Sequence, residues 1–283
     1  MLDKIKELAA SSQSSKGTIA TYLLEHLKDI EHQSLEELAK ATYTSKASLV
    51  RFAQTLGYKG WTDFLPALIA ERYYSVTHYS EVDHSLPFGQ DDSSSAIIQK
   101  IATIQKESIQ DTADRLVPED LEKAVVWLAK ARRVVLFGLS PNEYIGHLFK
   151  RKMLALGKTI EVAHVGEFGL TTASLTKDDL AILISYSGNS SGIETLRFIP
   201  QLKEKSVPII GLTSEQGHSL RQAADLIFTI CTREDKFRKI GNFSTEESIL
   251  FILNTLYALY FKSDYFAHYV HKTLLSQQLE GKR

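Results

Sequence analysis

The stretch ISYSGNSSG, residues 184–192, follows an apolar run, Leu180-Ala181-Ile182-Leu183, and precedes a helical pattern. A strand-to-helix turn needs one glycine and one cap. This one offers Ser185, Ser187, Ser190 and Ser191, with Gly188 and Gly192 between them. Glycines let the backbone approach a bound group closely, and short hydroxyls supply donors without bulk. The stretch therefore reads as a strand end at which a small polar group binds.

Similar apolar runs lie on both sides of it. Val134–Phe137, Thr159–Ala163, Val207–Leu212 and Leu226–Ile230 read as further strands. Helical patterns separate them, over about 141–156 and 191–204. Strands joined by helices imply crossover connections and a parallel sheet. Near-continuous apolar strands imply that both faces are covered. With strand order 2-1-3-4-5 assumed, the ends of strands one and three meet at the topological switch point, where such sheets bind ligands. The loop after strand one, FGLSPNEY at 137–144, would then line the same crevice, with Gly138 for the turn and Ser140 as a donor. Helix amino termini after both strands favour an anion.

The absent motifs narrow the ligand. The chain has no Gly-x-x-x-x-Gly-Lys-Ser/Thr, and the first loop is not Gly-x-Gly-x-x-Gly. Nucleoside triphosphates and dinucleotides are therefore disfavoured, and a phosphate monoester on a small molecule fits. Capping alone would also explain the serines of either loop. Nothing calls for a cofactor or a metal. His268 and His271 share a helix face but have no carboxylate or cysteine pattern beside them.

The bulk numbers agree with a soluble globular protein of two domains. The 283 residues are 43% hydrophobic and 24% charged, with net charge -1. No global field attracts nucleic acid or membrane, so any basic surface must be local. The lone Cys231 fits a reducing, cytoplasmic setting, and the amino terminus has no apolar signal region. The longest apolar run, 249–261, spans ~20 Å at ~1.5 Å per residue, short of a ~30 Å bilayer core. It reads as a buried helix, with Tyr265, Phe266 and Tyr269 after it as candidates for a subunit interface.

Residues 1–77 read as short helices, 78–96 as a polar linker, and 97–283 as the α/β domain. In the first zone a helix spans about 17–30. A second begins at Ser34, where Ser34 and Glu37 form a capping box. Ser45 caps a third, with Leu49, Phe52, Ala53 and Leu56 on one face and Gly57 at its end. Helix, tight turn, helix is the arrangement that enters a DNA major groove. Residues 1–80 carry 9 basic and 9 acidic side chains, yet 38–62 carry four basic ones and no acid. Charge gathered around one helix suits phosphate contact. Ser45, Lys46, Ser48, Arg51, Gln54 and Lys59 are the candidate DNA-contacting residues. Alternatively the zone is a plain helical bundle, with Arg51 tied to Glu36 or Glu37.

Residues 34–64 resemble the amino-terminal domain of RpiR-type transcriptional regulators. Glu37-Leu38-Ala39, Ser45, Ser48, Val50, Arg51, Phe52, Leu56, Gly57 and Gly60 fit the family pattern. Thr44, Ser48 and Trp61 stand where an apolar residue, threonine and phenylalanine are usual. Residues of about 120–262 resemble the SIS, or sugar isomerase, domain. Ser185, Ser187, Gly188 and Ser190 match its Ser-x-Ser-Gly-x-Ser/Thr loop, and Ser140 matches the serine of its first loop. Asn189 stands where glutamate is frequent. The resemblance implies an all-helical helix-turn-helix domain followed by a five-stranded parallel αβα sandwich. It also implies a phosphorylated sugar held by Ser140, Ser185, Ser187, Gly188 and Ser190, and Gly138 and Asn189 of the same two loops complete the candidate ligand-binding set.

Two other functions remain open at this level. An isomerase needs a base, for which His164, His218, Glu246, Glu247, His268 and His271 are the candidates, none in a marking motif. An oligomerisation module with a degenerate pocket needs no ligand. The expected partners of a regulator are an operator DNA, a sugar phosphate and a second copy, as a homodimer or homotetramer.

Overall fold

Apolar residues at strand spacing and helix spacing alternate through the second half of the chain, and the backbone follows them. A computed structural model describes residues 1–11, 14–78, 80–189, 194–215, 217–235 and 237–281. Two compact units result, Met1–Glu81 and Val82–Arg283.

In the first unit, α1 (Leu2–Ser11), α2 (Ser15–Glu25), α3 (Leu35–Ala41), α4 (Lys46–Thr55) and α5 (Trp61–His78) enclose one core. Ile5, Ile19, Leu23, Leu38, Leu49, Phe52, Phe64 and Leu68 are fully buried there. The sequence pattern runs the first helix on to residue 30. Instead α2 ends at Glu25, and a turn and a 3₁₀ segment, Ile30–His32, carry the Ile30 side chain into the core. The capping box at Ser34 and Glu37 is formed, and the Ser45 hydroxyl caps α4. Gly57 has φ +94°, where a side chain would be strained.

The second unit opens with α6 (Ser94–Ala113) and α7 (Pro118–Lys130). The parallel strands follow: β1 (Val134–Gly138), β2 (Ile160–Val162), β3 (Leu180–Ile184), β4 (Ile209–Thr213) and β5 (Leu226–Thr229). Their order is β2-β1-β3-β4-β5, all parallel, so β1 and β3 are neighbours at the switch point. Between them lie α8 (Asn142–Leu154), α9 (Phe168–Ser174), α10 (Glu194–Arg197), α11 (Ile199–Glu204) and α12 (His218–Ala223). The chain closes with α13 (Phe243–Ser263) and α14 (Tyr265–Glu280).

Alternate strand residues face opposite cores. Leu136, Ile182, Ile184, Ile210 and Phe228 pack with Phe149 of α8 and with Ile252 and Leu256 of α13. Val135, Phe137, Ala181, Leu183 and Ile209 pack with Phe168 of α9 and Leu220 of α12. The apolar run 249–261 thus spends one face covering the sheet. Val134 and Ala181 to Ile184 are all essentially buried, as strands covered on both sides require.

Two expectations are corrected. The helix read over 191–204 is broken into α10 and α11, because Pro200 has no N–H to continue the ladder. Its start lies outside the described residues. The polar stretch after Val82 is not a loose tether. His84 and Ser85 are buried within the second unit, where they find partners far away in sequence.

Candidate functional site: two strand-end loops and one exposed helix

Two loops flank the β1/β3 switch point, where a crevice is expected. Gly138 ends β1 with Asn142 so close that an added Cβ would lie 3.1 Å from the Asn142 Cβ. Ser140 follows, exposed to solvent. The Asn142 amide reaches across to the Ile184 carbonyl at 3.5 Å, which ties the start of α8 to the end of β3. The N–H groups of Asn142 and Glu143, expected to be free for an anion, both donate to the Leu139 carbonyl, at 2.8 and 3.3 Å. Glu143 moreover occupies the first turn of α8 and already complements the helix dipole. This loop therefore offers a hydroxyl rather than a helix end.

The described part of the second loop, residues 185–189, is tied to neighbouring backbone. Ser185 is buried, and its N–H donates to the Leu212 carbonyl at 3.0 Å. Its hydroxyl accepts weakly from the Gly188 N–H at 3.4 Å. The Tyr186 carbonyl accepts from the Ser214 N–H at 3.1 Å and from the Thr213 hydroxyl at 3.3 Å. Gly188 has φ +55°, and a Cβ there would lie 2.7 Å from the Gly217 Cα and closer still to Thr213. The turn thus requires glycine on both conformational and steric grounds. Ser187 is partly buried and Asn189 exposed. Ser190, Ser191 and Gly192 lie outside the described residues.

Sequence reasoning missed two contributors to this end of the sheet. Thr213 and Ser214, at the end of β4, fix the Tyr186 backbone. Their stretch, Leu-Thr-Ser-Glu-Gln-Gly at 212–217, has the same small, polar composition as the loops that were singled out. Lys239 lies in the loop after β5, with its ammonium 6.0 Å from the Tyr186 ring centroid. The cationic stretch around it resembles any solvated surface loop, and only the fold brings it here.

The candidate bases lie on several elements of the second unit. His164 is exposed, with Nδ1 2.7 Å from the Val165 carbonyl. His268 stacks on Tyr260 at 5.0 Å, and His271 packs beside Gly157. Glu246 is exposed, while Glu247 accepts from the Gln105 amide at 3.0 Å. Nothing is described of the His218 side chain. Burial pushes the Cys231 thiol up to about 11, so it is protonated and unreactive at neutral pH. Among the described residues no three His, Cys, Asp or Glu side chains gather as a metal site.

In the first unit the candidate surface is α4. Lys46, Ala47, Arg51 and Gln54 are exposed along it, opposite buried Leu49, Phe52 and Ala53. Ser45 spends its hydroxyl on the Ser48 N–H at 3.1 Å. The Glu37 carboxylate is held in the capping box, 2.8 Å from the Ser34 N–H. That backbone bond, with the Ser34 hydroxyl, lowers its pKa, against a small opposing effect of burial. Glu36 pairs with Lys46 at 2.9 Å, an exposed contact worth little. Lys59 is exposed beyond Gly57, and its carbonyl accepts from the Gln54 amide at 3.4 Å.

Comparison with known proteins meets these observations. Residues 1–73 match the helix-turn-helix domain of the rpiR family, and residues 127–259 match the SIS domain. An uncharacterised HTH-type transcriptional regulator of Caldanaerobacter subterraneus is 30% identical over 266 residues, covering 94% of this chain and 92% of that one. The chain belongs to this family of HTH-type transcriptional regulators with a SIS domain. Among solved structures, the Vibrio vulnificus NanR protein complexed with ManNAc-6P aligns with TM-score 0.60 and 20% identity. It covers 100% of this chain and 98% of its own. The sugar isomerase domain of an RpiR transcription factor from Sphaerobacter thermophilus aligns with TM-score 0.55 and 18% identity, over 64% of this chain and 98% of its own. No helix among the described residues is long and apolar enough to cross a membrane.

Proposed function

We propose that this regulator binds operator DNA through α4 and that a phosphorylated sugar in the β1/β3 crevice modulates that binding. The observation that carries the ligand half is the juxtaposition of two small, hydroxyl-bearing loops at the switch point. Ser140 comes from one and Ser185 and Ser187 from the other, across a Gly188 turn that admits no side chain. Hydroxyls without a P-loop lysine suit a phosphate monoester. NanR, which shares the fold over its whole length, is solved with ManNAc-6P, so amino-sugar 6-phosphates head the list of ligands to test. The DNA half rests on the exposed basic line of Lys46 and Arg51, with Gln54 beside them and Lys59 at the flank. The genes under control would be those that handle the same sugar.

The coupling needs differential affinity between DNA-bound and free states, typically worth 1–3 kcal/mol, and it is reciprocal. The test begins with selection of operator fragments from genomic DNA by the full chain. Their affinity is then titrated with and without each sugar phosphate. A change of about 5- to 150-fold with one phosphorylated sugar, absent with its free sugar, is expected. Sustained isomerisation of a sugar phosphate by the purified chain would instead make the crevice an active site.

A further inference from the structure

The chain leaves the DNA-reading unit at Glu81 and enters the SIS unit at Val82. Two residues later it is gripped. The His84 ring is 3% exposed and is engaged at both nitrogens. Nδ1 lies 2.5 Å from the Ser244 hydroxyl and Nε2 lies 2.9 Å from the Glu107 carboxylate. Burial lowers the His84 pKa, against the pull of Glu107, and Arg233 adds to the lowering. Ser85 is held twice by the loop 232–242. Its hydroxyl accepts from the Asp235 N–H at 2.7 Å, and its carbonyl accepts from the Ile240 N–H at 3.1 Å. A tether that only spaces two domains has no need of a buried imidazole, whose desolvation is costly unless it is bonded. This joint is built to be fixed.

Between those two points of attachment the same loop carries Lys239, which meets Tyr186 of the second strand-end loop. Lys239, next to Ile240, places its ammonium over the Tyr186 ring, and Tyr186 sits between Ser185 and Ser187. That ammonium is also 3.5 Å from Glu234 Oε2. The Glu234 side chain is fully buried. It accepts from the Ser244 N–H at 2.5 Å and from the Thr245 hydroxyl at 2.6 Å. Ser244 is the residue whose hydroxyl meets His84. A series of contacts therefore runs from Tyr186 to Lys239 by a cation–π approach, and on through Glu234 and Ser244 to His84 by an ion pair and hydrogen bonds.

We infer that the loop 232–242, which holds Ser85 directly and His84 through Glu234 and Ser244, is a clamp on the start of the second unit that senses the crevice through Lys239 on Tyr186. The inference rests on the reading of the Ser185–Gly188 turn as an anion site. A dianion beside Tyr186 draws the Lys239 ammonium toward itself and away from Glu234. With its counter-charge displaced, Glu234 holds the Ser244 backbone differently, and the Ser244 hydroxyl is one of the two groups that fix His84. Occupancy of the crevice thus changes how firmly the chain is held where it passes to the DNA-reading unit. Lys239 acts as a positioning residue, not as part of the turn that cradles the anion.

Hydrogen exchange on the full chain, read by mass spectrometry with inorganic phosphate as the probe, tests this. Lys239→Met keeps the length of a side chain that is 21% exposed, so the fold should survive. Without phosphate, this variant is expected to speed exchange of the Ser85, Leu86 and Ile240 amides by at least ~3-fold through local opening. With phosphate, the wild type should change exchange both at 185–189 and at 83–86. Lys239→Met should respond at 185–189 alone. His84→Gln should free 83–86 and leave the phosphate response at 185–189 intact. The clamp is overturned if Lys239→Met leaves 83–86 unchanged without phosphate, or if its 83–86 segment still responds to phosphate. If phosphate alters no segment of the wild type, the anion site itself fails, while the phosphate-free comparison still decides whether Lys239 supports the joint.

Discussion

At the level of single residues, the two halves of the proposal separate cleanly. Arg51 is exposed on α4 and lies among residues that carry no acid from 38 to 62. Arg51→Ala is expected to cost about 1–3 kcal/mol of operator affinity if it reads a base, with no loss of melting temperature. Electrophoretic titration and a melt on one sample check both, and a fall in melting alone would make Arg51 a structural tie. Asp179 gives a test of the fold. Its side chain has no exposure and takes a forked contact from Arg132, at 3.0 and 2.8 Å. The Thr176 N–H adds a third bond at 2.8 Å. Burial alone would raise its pKa, but these partners outweigh burial and lower it. A carboxylate with a depressed folded-state pKa contributes stability above its unfolded value, ~3.9, and that contribution is lost as pH falls through the folded value. Asp179→Asn should therefore destabilise by about 1–3 kcal/mol at neutral pH and flatten the acid limb of the melting profile. An unchanged acid limb would contradict this assignment.

At the level of elements, strands were the most legible feature. Runs such as Leu180–Ile184 are apolar at every position because the sheet is covered on both faces, and their limits shift by only a residue or two. Helix limits depend on tertiary events that local pattern does not carry. The turn that inserts Ile30 shortens α2, and Pro200 divides α10 from α11. The hydroxyl-rich loops were legible as turns because Ser and Gly are the residues that cap helices and permit tight backbone approach. Lys239 and His84 were not, because their partners lie far along the chain: Ser244 is 160 residues from His84. The Gly188 turn makes a demand that can be tested. Gly188→Ala places a methyl against the Gly217 backbone at φ +55°, so the Ser185–Gly188 turn must shift. Loss of sugar-phosphate binding is expected, with a melting decrease from about 1–3 kcal/mol of strain. Calorimetry showing wild-type binding would mean the turn does not hold the ligand.

At the level of the whole molecule, a helix-turn-helix unit of this size reads one half-site, so operator binding calls for two copies. The surface of α14 agrees with self-association. Phe266 is 82% exposed, and Tyr265, Tyr269, Val270, Leu274 and Leu279 are exposed along the same helix. An array of this kind is unusual on a monomer. Sedimentation at micromolar concentration is expected to show a dimer or tetramer, which Phe266→Glu weakens; a stable wild-type monomer would count against it. Under the proposed coupling, a sugar phosphate that weakens operator binding must itself be bound more weakly by the operator complex.

The most direct test is a thermal-melt panel of sugar 6-phosphates, amino-sugar 6-phosphates and their unphosphorylated forms, on the wild type and on Ser187→Ala. A specific ligand at 100 times its dissociation constant adds about 2.7 kcal/mol, a rise of about 5–10 °C for a domain of this size. The account predicts such a rise with one phosphorylated sugar, none with its free sugar, and a blunted rise in Ser187→Ala. An equal rise with the free sugar, or no rise across the panel, would contradict a phosphate site at the β1/β3 crevice.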